Sequence, residues 1–142
     1  MINSNLEQVH GFKFHGLGRV PLSDPDDPAS YEPAYWWAEN YFNGKNRFDD
    51  RLLIPMDSRT VASPTGGSDY VFYRHGGWSW SIPYVAGVYA LTAQVDPDIT
   101  PEQFWAVAME TGRVIELQHN GESVLLGPII DPVALISSLQ NK

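Results

Sequence analysis

Gly76-Gly77-Trp78-Ser79-Trp80-Ser81-Ile82-Pro83-Tyr84-Val85-Ala86-Gly87-Val88-Tyr89-Ala90-Leu91 is the stretch whose reading decides the fold. Over residues 79–95 apolar side chains fall on nearly every face, Val85, Val88, Tyr89 and Leu91 among them, which predicts a helix buried all round. Pro83 suits its first turn, where a missing N–H removes a donor the helix does not use. A serine at this N-terminus sits among unpaired backbone N–H groups and the positive end of the helix dipole, where negative charge developing on a substrate oxygen is stabilised. Gly76 and Gly77 let an extended substrate backbone come close. Gly87 costs about 1 kcal/mol against alanine inside a helix, so an element packed tightly on it is expected.

Working outward, Asp69-Tyr70-Val71-Phe72-Tyr73-Arg74 reads as a strand, and Ser63-Pro64-Thr65-Gly66-Gly67-Ser68 before it as a turn. Arg51-Leu52-Leu53-Ile54-Pro55 is an apolar run bounded by charge and proline, the pattern of a buried strand. Downstream, Thr100-Pro101-Glu102-Gln103 starts a helix: Thr100 caps, Pro101 takes the first position and Gln103 closes a capping box. Gly112 ends it. Asn120-Gly121 joins two strand runs, 114–119 and 122–126, as a two-residue hairpin turn, since both positions accept positive φ. Asp131-Pro132 opens a last helix with Leu135, Ile136 and Leu139 on one side. The expected class is α/β, with a mostly parallel sheet and a central buried helix.

Residues 10–35 are rich in Gly, Pro and Asp and read as a long irregular segment. Residues 32–42 predict a short aromatic helix with Pro33 near its first turn and Asn43-Gly44 at its end. The division expected is therefore a loop-rich lead-in, 1–49, and a packed portion, 50–142.

With 142 residues, 43% of them hydrophobic, the chain has enough apolar surface for one core. Its net charge of −8 and only 9 basic residues, none in a run, argue against nucleic-acid binding. No cysteine is present, which removes disulfides, thiolate chemistry and Cys-based zinc sites. The first residues lack the basic and apolar regions of a signal peptide. The longest apolar stretch, interrupted by Pro83 and Gly87, falls short of the roughly 20 residues that span a bilayer.

The stretch 76–91 resembles the nucleophile segment of the subtilisin-like serine proteases, whose pattern is Gly, any residue, Ser, two variable residues, a small or apolar residue, Pro, an apolar residue, then Ala-Gly. Gly77 matches the glycine, Ser79 the nucleophile, Pro83 the proline and Ala86-Gly87 the close-packed helix positions. The run at 50–55 is similar to the apolar strand preceding the nucleophile in that family, and residues 94–104 to the loop and helix following it. The resemblance implies that 50–142 is the C-terminal part of a subtilase catalytic domain. It further implies peptide-bond hydrolysis through an acyl-enzyme on Ser79, with Gly76, Gly77 and Trp78 lining the substrate site. The substrate would be a peptide or protein, and neither a metal nor a cofactor is called for. The sequence departs from the pattern where Trp78 and Trp80 flank the serine, and it lacks the family's Asp and His motifs, so the general base is expected from an N-terminal portion outside this chain.

Other readings remain beside this one. His15 sits in Phe14-His15-Gly16 without the residues that complete a catalytic histidine motif, and reads as a loop residue. His10, His75 and His119 carry no motif, although His75 lies close to the nucleophile in sequence. Asp24, Asp26, Asp27, Asp96 and Asp98 lack calcium-loop spacing and read as solvated turn residues. The five tryptophans read as core or cleft packing. An α/β-hydrolase-like esterase would use Ser79, Asp98 and His119, which follow in the proper order. A non-catalytic interaction module on a protease scaffold is the other alternative.

Overall fold

In a computed structural model that describes residues 5–24, 27–45 and 48–140, the chain is an α/β protein. Its elements in order are α1 (Leu6–His10), β1 (Phe14–Arg19), a short 3-10 turn (Pro28–Ser30), β2 (Tyr31–Glu32), α2 (Ala38–Phe42), β3 (Leu52–Pro55), β4 (Arg59–Ala62), β5 (Tyr70–Tyr73), α3 (Trp78–Val95), α4 (Pro101–Glu110), β6 (Arg113–His119), β7 (Glu122–Ile129) and α5 (Pro132–Gln140). The main sheet has the order β2-β1-β3-β7-β6. Its centre is parallel, β1 to β3 and β3 to β7, while β2 and β6 pair antiparallel at the edges.

The apolar run at 52–55 is what a central parallel strand requires, because helices or loops cover both its faces. All four residues of β3 are buried. Leu52 and Ile54 join a core formed with Leu6, Phe14, Val85, Val88, Phe104, Trp105 and Leu135, which holds α1, α3, α4 and α5 on one face of the sheet. Leu53 faces the other way, into a second core with Leu17, Trp37, Tyr41, Leu126 and Ile129. Local signals fix the C-terminal half as expected. The capping box at Thr100 is complete in both directions, Thr100 N–H to Gln103 Oε1 at 2.8 Å and Gln103 N–H to Thr100 Oγ1 at 3.2 Å. Asn120 and Gly121 both adopt positive φ between β6 and β7.

Three expectations need correction. Residues 10–35 are not irregular throughout: β1 is a fully buried strand between β2 and β3. Its glycines hid it, and packing explains them, since a Cβ on Gly18 would collide with the backbone of Ala34. The aromatic helix is short, only Ala38–Phe42, because Tyr31 and Glu32 pair with Arg19 and Gly18 as β2 instead. Finally, α3 is not buried all round. Ser81, Val85, Val88 and Thr92 form a single buried face, and Ser79, Pro83, Gly87, Ala90, Leu91 and Gln94 are exposed. No atom lies within 4 Å of where a Gly87 Cβ would stand, so the expected close packing on Gly87 is absent among the described residues.

Candidate active site

The site is built at the C-terminal end of β3, the edge of a parallel sheet where strand carbonyl ends open toward loops and where α/β proteins place their chemistry. Past Pro55 the chain keeps one more sheet bond, Met56 N–H to Leu17 O at 3.1 Å, and then turns sharply. Ser58 sits at φ 54, in the left-handed region that non-glycine residues seldom occupy. The turn launches the β4–β5 hairpin, whose register runs from Arg59↔Tyr73 to Ala62↔Tyr70.

The returning chain is fastened to this corner. Ser58 N–H donates to Arg74 O at 3.1 Å, and Gly76 N–H donates to Asp57 Oδ1 at 2.7 Å. The Gly76 backbone lies against the Met56 carbonyl so closely that a Cβ there would overlap its oxygen. Contact with the protein itself thus accounts for glycine at 76. Gly77, by contrast, has open space where its Cβ would be, and its extended backbone caps the helix.

Ser79 is exposed, the second residue of α3. Among the described residues neither its hydroxyl nor its N–H has a hydrogen-bond partner, and no side chain caps the helix. Trp80 N–H bonds back to Gly77 O at 2.8 Å, which tightens the first turn. Because the helix begins at Trp78, Pro83 is in its second turn rather than its first, and it removes the bond that would have used the Ser79 carbonyl. The flanking tryptophans diverge: Trp78 meets Phe14 and His15, at ring separations of 5.8 and 5.1 Å, while Trp80 meets Tyr73 at 5.0 Å.

The four histidines are all engaged elsewhere. His10 stacks on Phe12, and His75 meets the ring of Tyr35 at 4.9 Å. His15 lies on β1, not in a loop, enclosed by Trp37, Phe48 and Trp78. Burial holds its pKa below the usual histidine value, with the Gly16 carbonyl opposing and the charge of Arg51 adding to the shift. His119 stacks on Phe42 at 3.9 Å, on the α2 side of the sheet. Asp98 comes after the far end of α3, which by Val95 has risen about 24 Å from Ser79 at 1.5 Å per residue. Ser79, Asp98 and His119 are therefore not brought together.

Asp57 is the residue that sequence reading missed. It is 4% exposed, and burial lifts its pKa above the ordinary carboxylate value, partly offset by the Gly76 bond and the charges of His75 and Arg59. Glu32 on β2 is raised as well, first by burial and then by the charge of Asp57. The available signal was positional: an acid directly following a buried parallel strand. Ser81 is fully buried and donates to Ile54 O at 3.3 Å, tying α3 to β3.

Two of the acids weighed as calcium ligands serve turns. Asp27 accepts the Ala29 N–H at 2.9 Å and Asp96 the Asp98 N–H at 3.3 Å, while Asp26 lies outside the described residues. Among the described residues no group of three or more His, Asp or Glu side chains stands together as a metal site, and no helix is long and apolar enough to cross a membrane. Comparison with protein-family models, curated proteins and solved structures found no match for this chain.

Proposed function

We propose that the chain is the C-terminal part of a subtilisin-like serine endopeptidase in which Ser79 attacks the peptide carbonyl, its own N–H helps to hold the oxyanion, and the general base comes from residues outside this chain. One observation carries the reading: Ser79 stands exposed at the start of α3, and among the described residues neither its hydroxyl nor its N–H is bonded. A helix N-terminus so presented supplies the donor that a tetrahedral intermediate needs. The base takes the Oγ proton, returns it to the leaving amine, and then activates the water that hydrolyses the acyl-enzyme. Gly77 and Trp78 border the open side of the serine and line the proposed substrate site. Gly76, turned against Met56, shapes it from behind.

The exposed face of α3 supports a missing partner portion. It carries Gly87, which costs helix stability yet faces nothing, and Leu91, which is 48% exposed. The same face also fits the reading of a non-catalytic module that uses a protease scaffold for binding. The separation of Ser79, Asp98 and His119 speaks against a self-contained esterase.

The test is labelling with a serine-directed phosphonate. The chain alone is expected to react slowly, and together with the N-terminal portion it should react fast and hydrolyse peptides. Ser79→Ala should then lower turnover roughly a million-fold, the loss seen when a triad serine is removed. Robust hydrolysis by the chain alone refutes the base from outside. Tight complementation with no labelling favours the binding module.

A further inference from the structure

We propose that Asp57 is a positioning residue of the Ser79 site: its buried carboxylate, by accepting the Gly76 N–H, fixes the Gly76–Gly77 turn from which the Ser79 hydroxyl and N–H project. This rests on the reading of Ser79 as nucleophile. Among the described residues Asp57 forms no ion pair, and its one hydrogen bond is the 2.7 Å contact to Gly76. A carboxylate this deeply buried is expensive, so a hydrogen-bond acceptor needed only for folding would be cheaper as a neutral group. What the charge supplies is a shorter and stronger bond than a neutral acceptor makes.

That bond is well placed to matter. Gly76 precedes the helix-capping Gly77, and Ser79 is the second helical residue. The other fastenings of this corner are the Ser58–Arg74 bond and the contact of Gly76 with the Met56 carbonyl. They set how far the loop lies from β3, while the Asp57 bond aims the His75–Gly76 peptide, through which the chain enters Gly77 and the helix. A shift of about 1 Å in an oxyanion donor is enough to cost a hundred-fold in rate.

The groups facing Asp57 are Glu32 on β2, Arg59 on β4 and His75 in the loop itself, with Arg74 acting on Glu32. Glu32 adds negative charge, whereas Arg59 and His75 offset it. Burial outweighs them, so the carboxylate takes up a proton at higher pH than an ordinary aspartate. The Gly76 bond then weakens in acid, ahead of any global unfolding.

Two measurements decide the matter. In the 15N-labelled chain the Gly76 amide proton, deshielded by a charged acceptor, should move upfield as pH falls, with a midpoint above the roughly 3.9 of free aspartate. The Ser79 amide should follow it, and in Asp57→Asn neither should move over that range. In the complemented protein Asp57→Ala should lower kcat about 10- to 100-fold with KM little changed, and Asp57→Asn, which keeps an acceptor oxygen without the charge, should recover only part of the loss. A Gly76 amide indifferent to pH overturns the proposal, even should Asp57→Ala fail to fold. Equal labelling of Ser79 in wild type and Asp57→Ala also overturns it and leaves the nucleophile reading intact. If Gly76 titrates as expected but wild-type Ser79 is never labelled, the nucleophile reading is at fault and the positioning role falls with it.

Discussion

The two faces of α3 have nearly the same kind of residues and opposite surroundings. Ser81, Val85, Val88 and Thr92 lie against the sheet, and the two hydroxyls among them are satisfied, Ser81 by Ile54 O and Thr92 by Val88 O at 2.8 Å. Ser79, Pro83, Gly87, Ala90 and Leu91 recur at the same helical spacing on the other side and meet solvent. Composition therefore does not separate the faces. What separates them is that the inner one is filled by this chain and the outer one is not, and the outer one carries the proposed nucleophile. Ala90 and Leu91 on the outer face are what the proposed further portion would cover.

The strongest way to break the comparison is at the corner that joins them. Gly76→Ala places a methyl group into the Met56 carbonyl, a backbone atom that cannot rotate away. Destabilisation of about 3 kcal/mol is expected, at the upper end for overpacking. Urea unfolding measures it. A loss below about 1 kcal/mol would mean that β3 and the Gly76–Gly77 loop are not held together as described. Gly77→Ala, with open space at its Cβ, should cost far less, which makes the pair an internal control.

A sharper contrast uses neighbours in sequence. Val88→Ala empties part of the inner core and should cost about 2 kcal/mol. Gly87→Ala adds a methyl group to open space in mid-helix and should stabilise the isolated chain by about 1 kcal/mol. With the proposed N-terminal portion present the sign is expected to reverse, because the methyl group would then have no room. Thermal unfolding of the chain alone and a binding titration with the complementing portion read the two effects. Gly87→Ala that stabilises alone and leaves binding unchanged would show that nothing packs on this face.

How far the sequence spoke depended on where its signals were generated. The capping box at Thr100, the Asn120-Gly121 turn and the apolar run of β3 arise within a few residues, so they could be read directly. β1 escaped because Gly16 and Gly18 answer to Met56 and Ala34, distant partners invisible in a linear chain. That a long helix follows Gly77 could be read, but which face this chain covers is a property of the whole fold. At the candidate site, Ser79 was proposed from its own neighbours. Asp57 was not, since its meaning comes from Gly76, 19 positions later.

The smallest expected effect concerns the ground beneath Trp78, where the outer face begins. His15 is 8% exposed and packed among Trp37, Phe48 and Trp78. Its folded pKa is depressed, chiefly by burial, whereas the unfolded chain takes up its proton near 6.5. Between the two values the unfolded state binds more protons, so this group's contribution to stability is full above about pH 6.5 and declines as pH falls toward the folded value. Asp57 and Glu32 act in the opposite sense. Their folded pKa values are raised, so the folded state holds their protons more tightly, and stability increases as pH falls through the folded values toward those of free carboxylates. The urea midpoint should therefore dip on acidification from pH 7.5 and then recover before general acid unfolding. His15→Phe should remove the dip, because the Gly16 carbonyl still accepts the Trp37 indole N–H at 3.1 Å, and Asp57→Asn should reduce the recovery. A dip that survives His15→Phe would leave His15 as a neutral member of the aromatic packing under the Ser79 turn.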